Sequence, residues 1–186
     1  MLESQPLARA TVAFFSLGLM FLIAAGCSSG TSSPTPTPGT PAAANYKDIS
    51  YDIEGRAITL ANGVSEIEAA PGSASKIVTR YFGNEATGDL NNDGAPDVAF
   101  LLTQSRGGSG TFYYVVAAVK TKDGYLGTNA ILLGDRIAPQ TTELRDGSLV
   151  VNYADRKPGE PMTTSPSLGV SKYLKVENGK LTVVPR

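Results

Sequence analysis

The chain has 186 residues, 41% of them apolar, and a formal charge of −1 from 16 basic and 17 acidic side chains. That leaves room for one ordinary domain with its own core plus a targeting segment, and no electrostatic footprint for nucleic acid. With no histidine and a single cysteine, Ser-His-Asp and Cys-His nucleophile systems, His-rich zinc sites and any internal disulfide are excluded.

Residues 1–26 read as a lipoprotein signal peptide. Arg9 precedes an uncharged apolar run from Ala10 to Gly26, whose 17 residues fall short of the ~20 that cross a bilayer. The run ends in Ile23-Ala24-Ala25-Gly26-Cys27, followed by Ser28-Ser29-Gly30. This resembles a bacterial lipobox, with Ala24 where leucine is the favoured residue. The resemblance implies that Cys27 is diacylated and becomes the mature N-terminus, anchoring the protein to a membrane surface without spanning it. Ser28 then implies the outer membrane of a Gram-negative host or the cell surface of a Gram-positive one. Residues 27–45 combine this cysteine with a Ser/Thr/Pro-rich tether that has no large apolar side chain to offset the entropy of ordering. Alternating Thr-Pro favours an extended spacer of ~3 Å per residue.

From residue 46 to 186 the pattern is period-two alternation between turn signals, which predicts an all-β domain: an antiparallel sandwich or barrel of about ten short strands. Tyr51–Ile53 and Ile58–Leu60 flank Gly55 as a hairpin, and Val64–Glu68 is expected to continue that meander through Asn62-Gly63. Ser75–Phe82 reads as a strand, though its spacing also permits a short helix. Val98–Thr103 and Thr111–Val119 are apolar on both faces, as central strands are. Lys122-Asp123-Gly124 turns the chain towards Ala130–Leu133. Asp146-Gly147 and Asn178-Gly179 are the two strongest hairpin signals.

Between the strands lies Gly88-Asp89-Leu90-Asn91-Asn92-Asp93-Gly94-Ala95-Pro96-Asp97. Asp89, Asn91, Asp93 and Asp97 occupy positions 1, 3, 5 and 9 of a loop whose sixth residue is Gly94, the distribution of oxygen ligands in a Ca²⁺ loop. Three carboxylates so close together repel unless a cation neutralises them, and Leu90 and Val98 are placed to pin the ends into the core. With Phe82-Gly83 upstream and Val98-Ala99 downstream, the segment resembles the calcium-binding part of FG-GAP and VCBS repeats. That resemblance implies Asp89, Asn91, Asp93 and Asp97 as side-chain ligands and the Ala95 carbonyl as a backbone ligand of a structural Ca²⁺. It covers about twenty residues in one copy, and 141 residues cannot supply the several blades of a propeller. No glutamate stands at the twelfth position, so the loop is not an EF-hand.

Two weaker motifs and one loop remain. Ser73-Ala74-Ser75-Lys76 matches the Ser-x-x-Lys of penicillin-binding enzymes but lacks their partner motifs, and Gly107-Gly108-Ser109-Gly110 offers backbone N–H groups without a P-loop lysine. The polar stretch 155–164 follows a strong strand, and Arg156, Lys157 and Glu160 are its candidates for contact with a partner. The domain is also similar to small bacterial lipoproteins that share Gly-Thr-Phe-Tyr-Tyr, Gly-Asp-Arg-Ile-Ala-Pro-Gln-Thr-Thr and Asn-Tyr-Ala-Asp-Arg-Lys-Pro-Gly-Glu-Pro-Met. The expectation is a lipid-anchored, Ca²⁺-stabilised β domain that binds an envelope protein or polysaccharide without catalysis. The alternative is an envelope hydrolase using paired carboxylates such as Asp135 and Asp155.

Overall fold

The structure, a computed structural model, describes residues 44–185. The signal peptide, Cys27 and the tether up to residue 43 lie outside the described residues. Asn45 caps one 3-10 turn, Tyr46–Asp48, by accepting the Lys47 N–H at 3.0 Å. Twelve strands follow, with no α-helix among the described residues.

β1 (Ser50–Ile53) and β2 (Arg56–Thr59) form a two-stranded antiparallel ribbon around Glu54-Gly55. β3 (Val64–Glu68), β4 (Lys76–Gly88), β5 (Asp97–Ser105), β6 (Phe112–Thr121) and β7 (Gly124–Gly127) make an antiparallel sheet in that order. β8 (Ile131–Asp135) completes it by sharing one edge of β6: β7 takes Ala118–Thr121 and β8 takes Phe112–Val115. The second sheet, in the order β12-β11-β10-β9, contains β9 (Ala138–Arg145), β10 (Ser148–Asp155), β11 (Leu168–Glu177) and β12 (Lys180–Val183).

Side-chain alternation on β5 and β6 builds two cores. Ala99, Leu101, Val115 and Ala117 face Leu149, Val151, Leu174 and Val176 of the second sheet. Val98, Phe100, Leu102, Tyr114, Val116 and Ala118 face Tyr51, Ile53 and Ile58 of the ribbon. The central strands are therefore buried on both faces, which is why their sequences carry no polar alternation. Gly127 lets the ribbon approach: a Cβ there would collide with the Ser50 carbonyl oxygen and come within 2.8 Å of Tyr51 Cδ1. Three open layers result, a sandwich and not a closed barrel.

The Asp146-Gly147 and Asn178-Gly179 hairpins form as expected, with φ of 51° and 70° in the first and 51° and 72° in the second. Positive φ at both central residues is the type I′ geometry that matches strand twist. Three details differ from expectation. Val64–Glu68 does not extend the ribbon; it leaves it at Asn62-Gly63 and pairs with β4. Residues 76–82 lie in β4 and form no helix. Strands number twelve where about ten are expected, partly because the four residues of β7 begin and end in glycine and carry almost no strand signal.

Candidate metal centre

The loop from β4 to β5 is held by burial at both ends. Leu90 enters the core between the sheets and Val98 the core beneath the ribbon, so the ends are gripped on opposite faces of the six-stranded sheet. Asp97 is fully buried. Its Oδ2 accepts the Leu90 N–H at 3.0 Å and its Oδ1 the Lys120 N–H at 2.7 Å, which ties the loop to the end of β6. Burial pushes this carboxyl up from its ordinary value, the two N–H groups pull it down, and Asp93 and Asp89 add to the rise. The residue expected as the ninth-position ligand is thus already engaged with the backbone.

The other oxygens cluster at the surface. Asp89 Oδ1 accepts from the Asp93 N–H at 3.1 Å and Oδ2 from the Gly94 N–H at 2.9 Å. Asn91 Oδ1 accepts from the Asp93 N–H at 3.1 Å. Asp93 Oδ1 accepts the Ala95 N–H and Oδ2 the Asn91 amide, each at 2.8 Å, and these two bonds hold its carboxyl below the ordinary range. Asn92 at φ 62° and Gly94 at φ 85° supply the left-handed steps that bring these groups round. Ala95 is half-buried. Each of these side-chain oxygens keeps acceptor capacity beyond the N–H it holds, and the donor set suits a hard cation. Among the described residues, however, no three carboxylate, imidazole or thiolate side chains stand close enough to hold a metal by themselves.

No family model, curated protein or solved structure matches the chain. The chemistry of its sites is read from their own geometry.

Stretch 155–164 is shaped by two of the three residues singled out in it. Arg156 donates from Nε to the Thr164 carbonyl at 2.6 Å and from Nη1 to the carbonyls of Asp135 and Arg136, at 3.3 and 3.0 Å. Glu160 accepts the Lys157 N–H at 2.9 Å. Lys157 is exposed, and its ammonium has no partner among the described residues. Asp135 ends β8 and Asp155 ends β10: Cβ atoms placed on Gly110 and Gly134 would lie 3.5 Å from Asp135 Oδ1 and Asp155 Oδ2 respectively. Asp135 is paired with Arg136 at 3.2 Å and accepts the Thr111 N–H, and Asp155 Oδ1 accepts the Arg156 N–H. Ser73 lies in a turn, accepting the Ser75 N–H, and Lys76 begins β4 beside Glu66 at 3.6 Å, so the Ser-x-x-Lys match has no helix beneath it. Gly107-Gly108-Ser109-Gly110 connects β5 to β6.

One charged group escaped the sequence reading. Arg106 Nη2 donates to Glu54 Oε2 at 2.8 Å and to the Tyr114 hydroxyl at 2.6 Å, and that hydroxyl donates to Glu54 Oε1 at 2.7 Å. Arg106 Nε donates to Gln104 Oε1 at 2.8 Å, and Gln104 Nε2 to Thr79 Oγ1 at 3.1 Å. The Tyr114 hydroxyl, then Arg106, hold Glu54 below its ordinary range, while burial and Glu54 push Tyr114 up to about 12. The signal available in the sequence was a glutamate at residue 54, ahead of Gly55, in a turn position that favours asparagine or aspartate.

Proposed function

We propose that this chain is a lipid-anchored protein of the bacterial cell envelope, whose β domain is stabilised by Ca²⁺ and serves as a non-enzymatic binding or structural module. Its partner would be an envelope protein or polysaccharide. The observation that carries the calcium reading is the gathering of Asp89, Asn91 and Asp93 on one turn, above a buried Asp97 that fixes the turn to β6. Asp89, Asn91 and Asp93 would hold the ion through side-chain oxygens and Ala95 through its carbonyl. The cation would replace the Asn91 amide at Asp93 Oδ2 and supply the positive charge that a hydrogen bond from a neutral amide does not. Two carboxylates and an amide make a weak site, ~10⁻⁴–10⁻³ M, of the kind occupied outside cells. The anchor is supported by Ile23–Cys27 and the tether behind it. The exposed, unpartnered Lys157, on a loop held in shape by Arg156 and Glu160, supports a partner surface there.

Calcium titrated calorimetrically into the purified protein should give a saturable isotherm that Asp93→Ala abolishes; a flat isotherm for the wild type removes the calcium. Cys27→Ala should move the protein from the membrane to the soluble fraction, and unchanged partitioning removes the anchor.

A further inference from the structure

We propose that the opening between the β1–β2 turn and the adjoining end of the six-stranded sheet binds a small organic carboxylate. A half-open cavity of about 270 Å³ lies there, lined by the apolar side chains of Ile58, Ile77 and Ala69 and by the polar ones of Glu54, Arg56, Gln104 and Arg106. Glu54 and Arg106 neutralise one another at 2.8 Å. The Arg56 guanidinium has no hydrogen bond or ion pair among the described residues, its main chain being paired with Ile53 across the ribbon, and Arg106 Nη1 makes none either. The lining is therefore net +1 with apolar side chains among it, which selects a monoanion with an apolar body. Guanidinium groups match a carboxylate in geometry as well as charge.

The backbone adds a separate observation. Among the described residues seven non-glycines have positive φ, and Asn62, Asn84, Asn92, Asp146 and Asn178 are of the types that tolerate it. The other two are Glu54 at 55° and Arg136 at 50°, and both carry ion pairs. Asparagine or aspartate at 54 would ease the turn but has a shorter reach towards Arg106. The strained glutamate holds Arg106 in one orientation on the cavity wall, helped by Gln104 and by the Phe112 ring 4.8 Å below the guanidinium. Strain kept beside a cavity pre-organises a ligand contact.

Size narrows the ligand. A dry cavity of ~150 Å³ accepts benzene. By proportion, about 270 Å³ accepts roughly ten or eleven heavy atoms, the scale of 3-phenylpropionate. Such an acid could be a free metabolite or the C-terminal end of a peptide. The inference depends on neither the calcium loop nor the lipid anchor.

The test is titration of ¹⁵N-labelled protein with 3-phenylpropionate, its neutral amide and N-acetylphenylalanine. The acid should move the backbone amides of Glu54, Gly55, Arg56 and Arg106 saturably, with a dissociation constant near about 1 mM. The isosteric amide should bind at least about tenfold more weakly, and Arg56→Ala should cost the acid a similar factor. Ala69→Leu, which fills the cavity and leaves the charges in place, should abolish binding. Tighter binding by N-acetylphenylalanine would assign a peptide terminus, and tighter binding by phenylpropionate a free acid. Equal binding of acid and amide, acid binding unchanged in Arg56→Ala or Ala69→Leu, or no saturable shift with either acid would overturn the proposal.

Discussion

Replacing Asp97 by alanine should unsettle the fold, whereas replacing Asp93 should not. Asp97 accepts two backbone N–H groups, those of Leu90 and Lys120, and is fully buried. A buried donor deprived of its acceptor costs about 1–3 kcal/mol; with two such donors, the Lys120 N–H only part-buried, Asp97→Ala should cost about 2–5 kcal/mol. At roughly 3 °C per kcal/mol for a domain of this size, the midpoint should fall by about 6–15 °C. Asp97→Asn keeps one accepting oxygen but turns an NH₂ towards the other N–H, so about half that loss is expected. Asp93 is exposed and its bonds lie at the surface; in chelator, Asp93→Ala should stay within about 0.5 kcal/mol of the wild type. Urea unfolding in excess chelator at neutral pH separates these effects from any ion. The reasoning fails if Asp97→Ala matches the wild type, or if Asp93→Ala is as damaging as Asp97→Ala.

Phe100 is fully buried, with the rings of Tyr46, Tyr51 and Tyr81 centred 5.3 to 5.6 Å away, and Phe100→Ala should cost about 3–5 kcal/mol by urea unfolding. Gly127→Ala sets a Cβ against the Ser50 carbonyl oxygen, so the ribbon must shift; a loss of about 1–3 kcal/mol is expected. Hydrogen exchange should report that shift at the Asp52 and Ala130 amides, which bond across to Thr128 and Asp52. Glu54 titrates below its ordinary value because the Tyr114 hydroxyl and Arg106 favour its charged form. Its contribution is therefore present above the unfolded-state value and is lost as pH falls through the folded one. Glu54→Gln should flatten stability between about pH 5 and pH 3, by less than about 1 kcal/mol because the side chain is half exposed.

What was legible in the sequence is what local chemistry decides. Asp146-Gly147 and Asn178-Gly179 announce their hairpins because a type I′ turn needs positive φ at two successive residues, and β5 and β6 announce their place because burial on both faces removes polar alternation. The partner of β3 was not legible: Val64–Glu68 alternates equally well beside the ribbon or beside β4, and only packing chooses. The calcium-loop spacing marks out residues 89–97 but could not reveal that Asp97 turns inward to two N–H groups, because an inward and an outward aspartate read alike. The Glu54–Arg106–Tyr114 group spans 60 residues of sequence and exists only once the ribbon is folded onto the sheet.

The most direct test of the calcium reading is thermal melting of the purified protein in about 10 mM Ca²⁺ and in chelator, with Asp93→Ala alongside. For a site of ~10⁻⁴–10⁻³ M, linkage adds about 1.4–2.7 kcal/mol and raises the midpoint by about 4–8 °C in the wild type and not in the variant. Coincident wild-type melts, or an equal rise in Asp93→Ala, would contradict it and leave the Asp89–Asp97 segment as a hydrogen-bonded turn.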